Sequence, residues 1–245
     1  MKNPRTYQNT TLDIGCDIEL EEIAAHHLTR VLRLKHGDNI RVFNGNGYEY
    51  PADLVLQGKK VFAHINERLM VDRESSLNIT LMQGISKGDR MDTCIQKAVE
   101  LGVNKIIPVI CQRTVVNLKA DRREKKLRHW RGIIISACEQ SGRNILPELT
   151  SISSLAEALT QSDNGLKLTL DPAAKTSFKS FKLESNAITL LIGPEGGLTQ
   201  SEIDLSVQNH FNATHLGKRI LRTETAAIAS IAALQTLWGD FTGIE

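Results

Sequence analysis

The sequence predicts an α/β protein, a parallel sheet flanked by helices, preceded by a smaller β-rich domain. Three observations predict it. From Leu77 onward, short apolar runs alternate with segments of helical spacing, the pattern of strands joined by crossover helices. Residues 1–70 instead alternate polar and apolar side chains, as half-buried strands do. Two glycine-marked loops, Gly193-Pro194-Glu195-Gly196-Gly197 and the stretch that opens with Leu216-Gly217, each lie between a predicted strand and a predicted helix. Ligands of open α/β sheets bind at the carboxyl ends of strands, in such loops.

In chain order, Asn39–Phe43 and Lys60–Ile65 are predicted strands, and Asn44-Gly45-Asn46-Gly47 is a turn signal. One short helix is expected from about Glu21 to Leu32, and the whole reads as a small barrel. The polar, aperiodic stretch Val71–Ser76 marks the boundary, giving domains 1–72 and 73–245. Leu77–Gln83 is a strand; Met91, Cys94, Ile95, Ala98 and Leu101 then recur at helical spacing, with Gly102 just past the helix end. Lys105–Ile110 is a strand, and a long helix from about Asp121 to Ser141 faces inward with Leu127, Trp130, Ile134, Ala137 and Cys138. Ser154-Leu155-Ala156-Glu157 is a capping box that opens a helix to about Gln161. Leu166–Leu170 and Ile188–Ile192 are strands, and a second capping box, Thr199 to Glu202, starts a helix near Gln200. Ala213–Leu216 reads as a short strand, and an alanine-rich helix begins near Glu224, with Ile228, Ile231, Leu234 and Trp238 on one stripe.

Composition bounds the function. Of 245 residues, 41% are hydrophobic and 24% charged, ordinary for a globular chain. No apolar run approaches the roughly eighteen residues of a membrane span, and the N-terminus lacks the apolar core of a signal peptide. Cys16, Cys94, Cys111 and Cys138 are widely spaced, which points to a reducing cytoplasm rather than a disulfide or metal framework. The seven histidines form no ligand spacing, so no metal is expected. A net charge of +2 leaves nucleic-acid binding to local patches. Residues 1–75 hold ten Lys and Arg against eleven Asp and Glu.

The glycine loop fits neither the dinucleotide nor the P-loop pattern, and no nucleophile elbow is present. Its glycines still let a ligand approach the backbone, although they equally suit a plain strand-to-helix turn. Lys218, Arg219 and Arg222 stand just before a helix, where exposed N–H groups and cations suit an anion such as RNA phosphate. Glu224 is open to two readings, a functional carboxylate or a simple complement to the helix dipole. Lys119, Arg122, Arg123, Lys125, Lys126, Arg128 and Arg131 crowd one helix, a solvated surface unless an RNA site lies beside it. Arg30 and Arg33 are plausible RNA contacts on the small domain.

The pairing of Leu190-Leu191-Ile192-Gly193-Pro194-Glu195-Gly196-Gly197 with Leu216-Gly217-x-Arg219-Ile220-Leu221-Arg222-Thr223-Glu224-Thr225-Ala226 resembles the RsmE family of SPOUT-class methyltransferases. Lys87–Met91, Gln96–Val103, Glu139–Arg143, Pro4-Arg5 and His27–Arg33 match it too, so the resemblance covers essentially the whole chain. It implies a SPOUT-type parallel sheet with a C-terminal trefoil knot, plus a small N-terminal PUA-like β-barrel that binds RNA. It also implies S-adenosylmethionine as cofactor, a homodimer, and methylation of N3 of a uridine, position 1498, in bacterial 16S rRNA of the small ribosomal subunit. The implied cofactor contacts are Leu170, Gly193, Pro194, Glu195, Gly196, Gly197, Leu216, Gly217, Ile220, Leu221, Arg222, Thr223, Thr225 and Ala226. Arg5, Arg30, Arg33, Arg90, Arg143 and Arg219 are the expected RNA contacts. N3 of uracil attacks only after losing its proton, so a guanidinium and a carboxylate are needed. Arg222 is assigned the first role, and Glu195 and Glu224 both remain candidates for the second. A SPOUT enzyme acting on another RNA position, and a non-catalytic RNA-binding assembly factor, are the alternatives.

Overall fold

The computed structural model describes residues 3–115, 120–161 and 164–243. The chain divides into two compact units, Met1–Glu74 with Cys138–Leu146, and Ser75–Ala137 with Pro147–Glu245.

The first unit is built on a six-stranded sheet. Its strands are β1 (Arg5–Tyr7), β2 (Asp17–Glu19), β3 (Asn39–Phe43), β4 (Tyr48–Gln57), β5 (Lys60–Ile65) and β6 (Leu69–Met70). They run in the order β1-β3-β4-β5-β2, with β6 also on β4; β1 and β3 are parallel and the other pairs antiparallel. Alternate residues point inward, so Ile40, Val42, Ala52, Leu54, Ala63 and Ile65 make the core with Leu12, Leu20 and Leu28. The expected helix over Glu21–Leu32 is present but changes character: α1 (Glu22–His26) passes into a π-helical turn, His27–Val31. The Leu32 N–H bonds to His27 O and the Leu34 N–H to Leu28 O, with Arg33 between them at φ 58°.

A buried ionic cluster closes this unit. Glu49 pairs with Arg5, Arg41 and Arg73. Arg5 also donates to Arg143 O at 3.0 Å and Asn144 Oδ1 at 2.8 Å, and lies over the Phe43 ring. Arg143 in turn donates from Nε to Glu74 Oε1 at 3.0 Å. The segment Cys138–Leu146 is held in the first unit by these bonds and by Asn144 Nδ2 to Val71 O.

The second unit holds a seven-stranded sheet, parallel in every pair. The elements are β7 (Asn78–Gly84), α2 (Asp89–Glu100), β8 (Lys105–Ile110), α3 (Ala120–Ser141), β9 (Glu148–Leu149), β10 (Ser153–Ser154), α4 (Leu155–Thr160), β11 (Leu166–Leu170), β12 (Ala187–Ile192), α5 (Gln200–Gln208), β13 (Asn212–Thr214) and α6 (Thr223–Trp238). Strand order is β10-β8-β7-β12-β11-β13, with β9 also on β8. Central β7 and β12 are buried along nearly their whole length, which is why they are mostly apolar rather than alternating. Both capping boxes form as expected, Ser154 with Glu157 and Thr199 with Glu202.

Three expectations shift. The last strand ends at Thr214, because its partner β11 runs out at Leu170 and leaves Leu216 unpaired. On α6 the buried stripe is Thr223, Ala227, Ser230, Ile231 and Leu234, with Ile228 and Trp238 only half-buried at its edge. On α2, Val99 is buried where Leu101 was expected; Leu101 caps the helix end. Lys119 lies outside the described residues.

Cys94, Cys111 and Cys138 are buried, and burial pushes each thiol up to about 12, while Cys16 is exposed. A thiol reagent at pH 8 is therefore expected to modify one cysteine per native chain quickly and all four after denaturation. Two or more fast thiols in the native protein would contradict this packing.

Candidate functional site

A cleft of about 300 Å³ opens at the carboxyl ends of the strands of the second unit. Each wall is the segment that follows a strand. From the end of β12 onward come Ile192 and Gly193 to Leu198; from the end of β11, Leu170, Asp171 and Pro172; beyond β13, His215, Leu216, Gly217, Arg219, Ile220 and Leu221. Arg113, beyond β8, and Ile203, Thr223 and Ala226 complete it. Apolar side chains dominate the lining, as suits a flat heterocycle.

The glycine loop is set by direct packing on the end of β7. A Cβ on Gly84 would lie 2.4 Å from Pro194 N and 2.7 Å from Gly193 C, so only glycine lets the loop approach this closely. A turn bond from Gly197 N to Pro194 O shapes the loop itself, with Gly197 at φ 69°. From the other side Arg113 donates to Gly196 O at 2.8 Å and Leu198 O at 3.3 Å.

A chain of buried hydrogen bonds fixes the start of α6 against that loop. Cys94 Sγ lies 3.2 Å from Gln83 Oε1; Gln83 Nε2 donates to Thr223 Oγ1 at 2.9 Å; Thr223 Oγ1 donates to Gly193 O at 2.7 Å. The two glycine-marked segments of the sequence therefore meet, with Thr223 as the junction.

Glu195 stands at the cleft and is anchored to α2. Its Oε1 accepts from Lys87 N at 2.7 Å and from Arg90 at 3.3 Å. Partial burial works to raise its pKa, but the Lys87 N–H, its own backbone N–H and Arg90 together hold it below the usual carboxylate range. With a folded pKa below the unfolded one, this anchor is fully present above the ordinary carboxylate range and is lost as pH falls through the folded value. Glu224 is placed differently. It does not line the cleft, and its Oε2 is buried without a hydrogen-bond partner among the described residues, close enough to Cys94 to raise that thiol further.

Of the other residues expected around a cofactor, Leu170, Gly193, Pro194, Gly196, Gly197, Leu216, Gly217, Ile220, Leu221, Thr223 and Ala226 all line the cleft. Arg222 and Thr225 do not; both are exposed, Arg222 at the N-cap of α6. Among the residues expected to touch RNA, Arg30, Arg33, Arg90 and Arg219 are exposed. Arg5 and Arg143 are not available: their side chains are 7% and 3% exposed and paired with Glu49 and Glu74. Both ion pairs lie within the first unit, where a buried guanidinium needs a carboxylate and further acceptors for its N–H groups.

Arg113, Asp171 and Gln83 were not anticipated. Each follows or ends a strand at its carboxyl end, and that position was the available signal. Among the described residues, no group of three or more His, Cys, Asp or Glu could hold a metal ion, and no helix is long and apolar enough to cross a membrane.

The comparisons with known proteins agree with this geometry. The family described as RNA methyltransferase domain matches residues 73–235, and the RNA methyltransferase PUA domain matches residues 21–65. The ribosomal RNA small subunit methyltransferase E of a Buchnera aphidicola strain is 36% identical over 98% of both chains. The protein of that name from Neisseria gonorrhoeae, solved bound to S-adenosyl methionine, superposes with a TM-score of 0.91 at 43% identity over 98% of this chain and 99% of that one. A Legionella pneumophila protein solved with the same cofactor reaches a TM-score of 0.95 at 40% identity, covering 98% and 100%. Parallel sheet, glycine-edged cleft and full-length likeness converge: the chain belongs to the ribosomal RNA small subunit methyltransferase E family of RNA methyltransferases.

Proposed function

We propose that this protein transfers a methyl group from S-adenosylmethionine to N3 of the uridine at position 1498 of bacterial 16S rRNA, in the small ribosomal subunit. The observation that carries the reading is the cleft at the ends of β11, β12 and β13, in a chain whose relatives are named small-subunit ribosomal RNA methyltransferases and whose solved neighbours hold S-adenosylmethionine. The residues present fit the group. Leu170, Ile192, Leu198, Leu216 and Leu221 supply an apolar slot, and a Cβ at Gly197 or Gly217 would meet nothing within 4 Å, so space beside both is open. When bound, the cofactor supplies an electrophilic methyl group on a sulfonium.

The chain's own residues do the rest. The glycine loop, clamped by Arg113 and Thr223, orients the bound group. Arg222, exposed at the α6 N-terminus, pairs with the uracil carbonyl oxygens as N3 loses its proton and favours the anion. Glu195, the carboxylate at the cleft, is the acceptor that location favours over Glu224. Arg30, Arg33, Arg90 and Arg219 hold phosphates.

Two further features belong to this reading. The C-terminal trefoil knot is part of this reading, supported by the hydrogen bond that ties Thr223, beyond β13, to Gly193 O at the end of β12. An apolar groove lined by Phe178, Leu216, Ala233 and Leu237 adjoins the cleft and suits a second copy, giving a homodimer in the cytoplasm.

The test uses labelled S-adenosylmethionine with small subunits from a strain lacking this protein. Incorporation recovered as 3-methyluridine is expected; another methylated nucleoside, or none, would overturn the assignment.

A further inference from the structure

We infer that a cationic track on α2 and α3 carries the phosphate backbone of the substrate RNA away from the cleft, an inference that rests on the function proposed above. Helical spacing places Arg122, Lys125, Lys126 and His129 at i, i+3, i+4 and i+7, so they share one stripe of α3, with Asp121 at its edge and Asp92 of α2 against its far end. It runs for about 10 Å at 1.5 Å per residue.

The stripe is joined to the cleft by contacts that lead from one to the other. His129 Nε2 lies 2.7 Å from Asp92 Oδ2, on the first turn of α2. Two residues earlier on that turn, Arg90 reaches Glu195 at 3.3 Å, and Lys87 N bonds the same oxygen. Lys87, Arg90, Lys125 and Arg122 are exposed. Neither Arg122 nor Lys125 has an ion pair or hydrogen bond among the described residues. Lys126 rests over the Trp130 ring at 5.4 Å, which orders its stem and leaves its charge at the surface. A polyanion that enters the cleft at one nucleotide would meet Lys87 and Arg90 first and then, past Asp92, Arg122 and Lys125 and the charge of Lys126 on successive turns of α3.

A merely solvated helix face and this track differ in how binding depends on salt, because each phosphate neutralised releases counterions. The experiment compares the parent protein with Arg122→Gln/Lys125→Gln and with Arg128→Gln/Arg131→Gln, a pair on a different flank of α3. Glutamine keeps helix propensity, so both variants fold; calorimetry of S-adenosylmethionine binding checks that the cleft is intact.

Affinity for small subunits is measured over a series of KCl concentrations, together with the methylation rate. The first variant is expected to lose about tenfold in affinity and to show a plot of log K against log salt that is shallower by about 1.5, for two lost phosphate contacts. KM for the subunit should rise while kcat at saturation and cofactor affinity stay unchanged. An unchanged salt slope in that variant, or an equal change in the second variant, would overturn the track. A parent protein that neither binds nor methylates subunits would instead overturn the proposed function, so the two failures are separable.

Discussion

Replacing Arg222 by alanine is expected to lower the rate of methyl transfer by about 10²–10³-fold, the usual loss when one group that stabilises developing charge is removed. Stability should barely change. The Arg222 side chain is exposed and caps no N–H of α6. A cation at a helix N-terminus also opposes the helix dipole, so its removal should, if anything, stabilise by a few tenths of a kcal/mol, at the low end of the roughly 0.3–1 kcal/mol range. A residue placed where the helix disfavours it is better explained by what it does for a substrate. Affinity for S-adenosylmethionine, measured by calorimetry, should stay within about threefold of the parent, because the loss is confined to the transition state. Equal loss of cofactor affinity and rate would make Arg222 a binding residue and remove it from the chemistry. Arg222→Lys keeps the charge without the planar fork and should recover only part of the rate.

The second large effect is one of packing. Gly84→Ala would put a methyl group 2.4 Å from Pro194 N and 2.6 Å from Pro194 Cδ, atoms of a loop that Arg113 and Thr223 hold from two other sides. Neither β7, paired on both edges, nor the loop can give way cheaply. The expected cost is about 3 kcal/mol or more, at the upper end for overpacking and a large share of the roughly 5–15 kcal/mol that stabilises a domain. Urea unfolding of the two proteins measures it, and cofactor affinity should fall with the displaced loop. Gly132→Ala supplies the contrast: a Cβ there meets nothing within 4 Å on an exposed turn of α3, so about 0.5–1 kcal/mol of stabilisation is expected. A Gly84→Ala protein as stable as the parent would refute the tight approach of loop and strand.

What was legible in the sequence was what is locally encoded. β12, both capping boxes, Gly102 past α2 and the glycine loop each carry their signal within a few residues, and each lies where expected. The two glycine-marked loops were legible for the same reason, while the individual residues that line the cleft came from the family resemblance. What escaped depended on partners distant in the chain. Arg5 looks like any surface cation until Glu49 and Asn144 are brought to it. Arg113 becomes a clamp only because Gly196 arrives from 83 residues away. Gln83 reads as the polar end of a strand, and its role appears only when Thr223 lies beside it. The π-helical turn after α1 escaped because helical spacing alone does not distinguish it from an α-helix.

The return of Cys138–Leu146 to the first unit has a consequence for how the protein is made. Arg5 meets Asn144 across 139 residues, and the first unit lacks these partners until that segment has been synthesised. By then β7, α2, β8 and α3 have been synthesised as well. The two units therefore cannot fold as beads on a string, the first finished before the second begins. Closing so long a loop before its contacts reward it slows the search, and until then Arg5 has Glu49 but neither Arg143 O nor Asn144 to accept its other N–H groups. A chain cut short before Leu146 would therefore leave the first unit unfinished, although residues 1–74 were made long before.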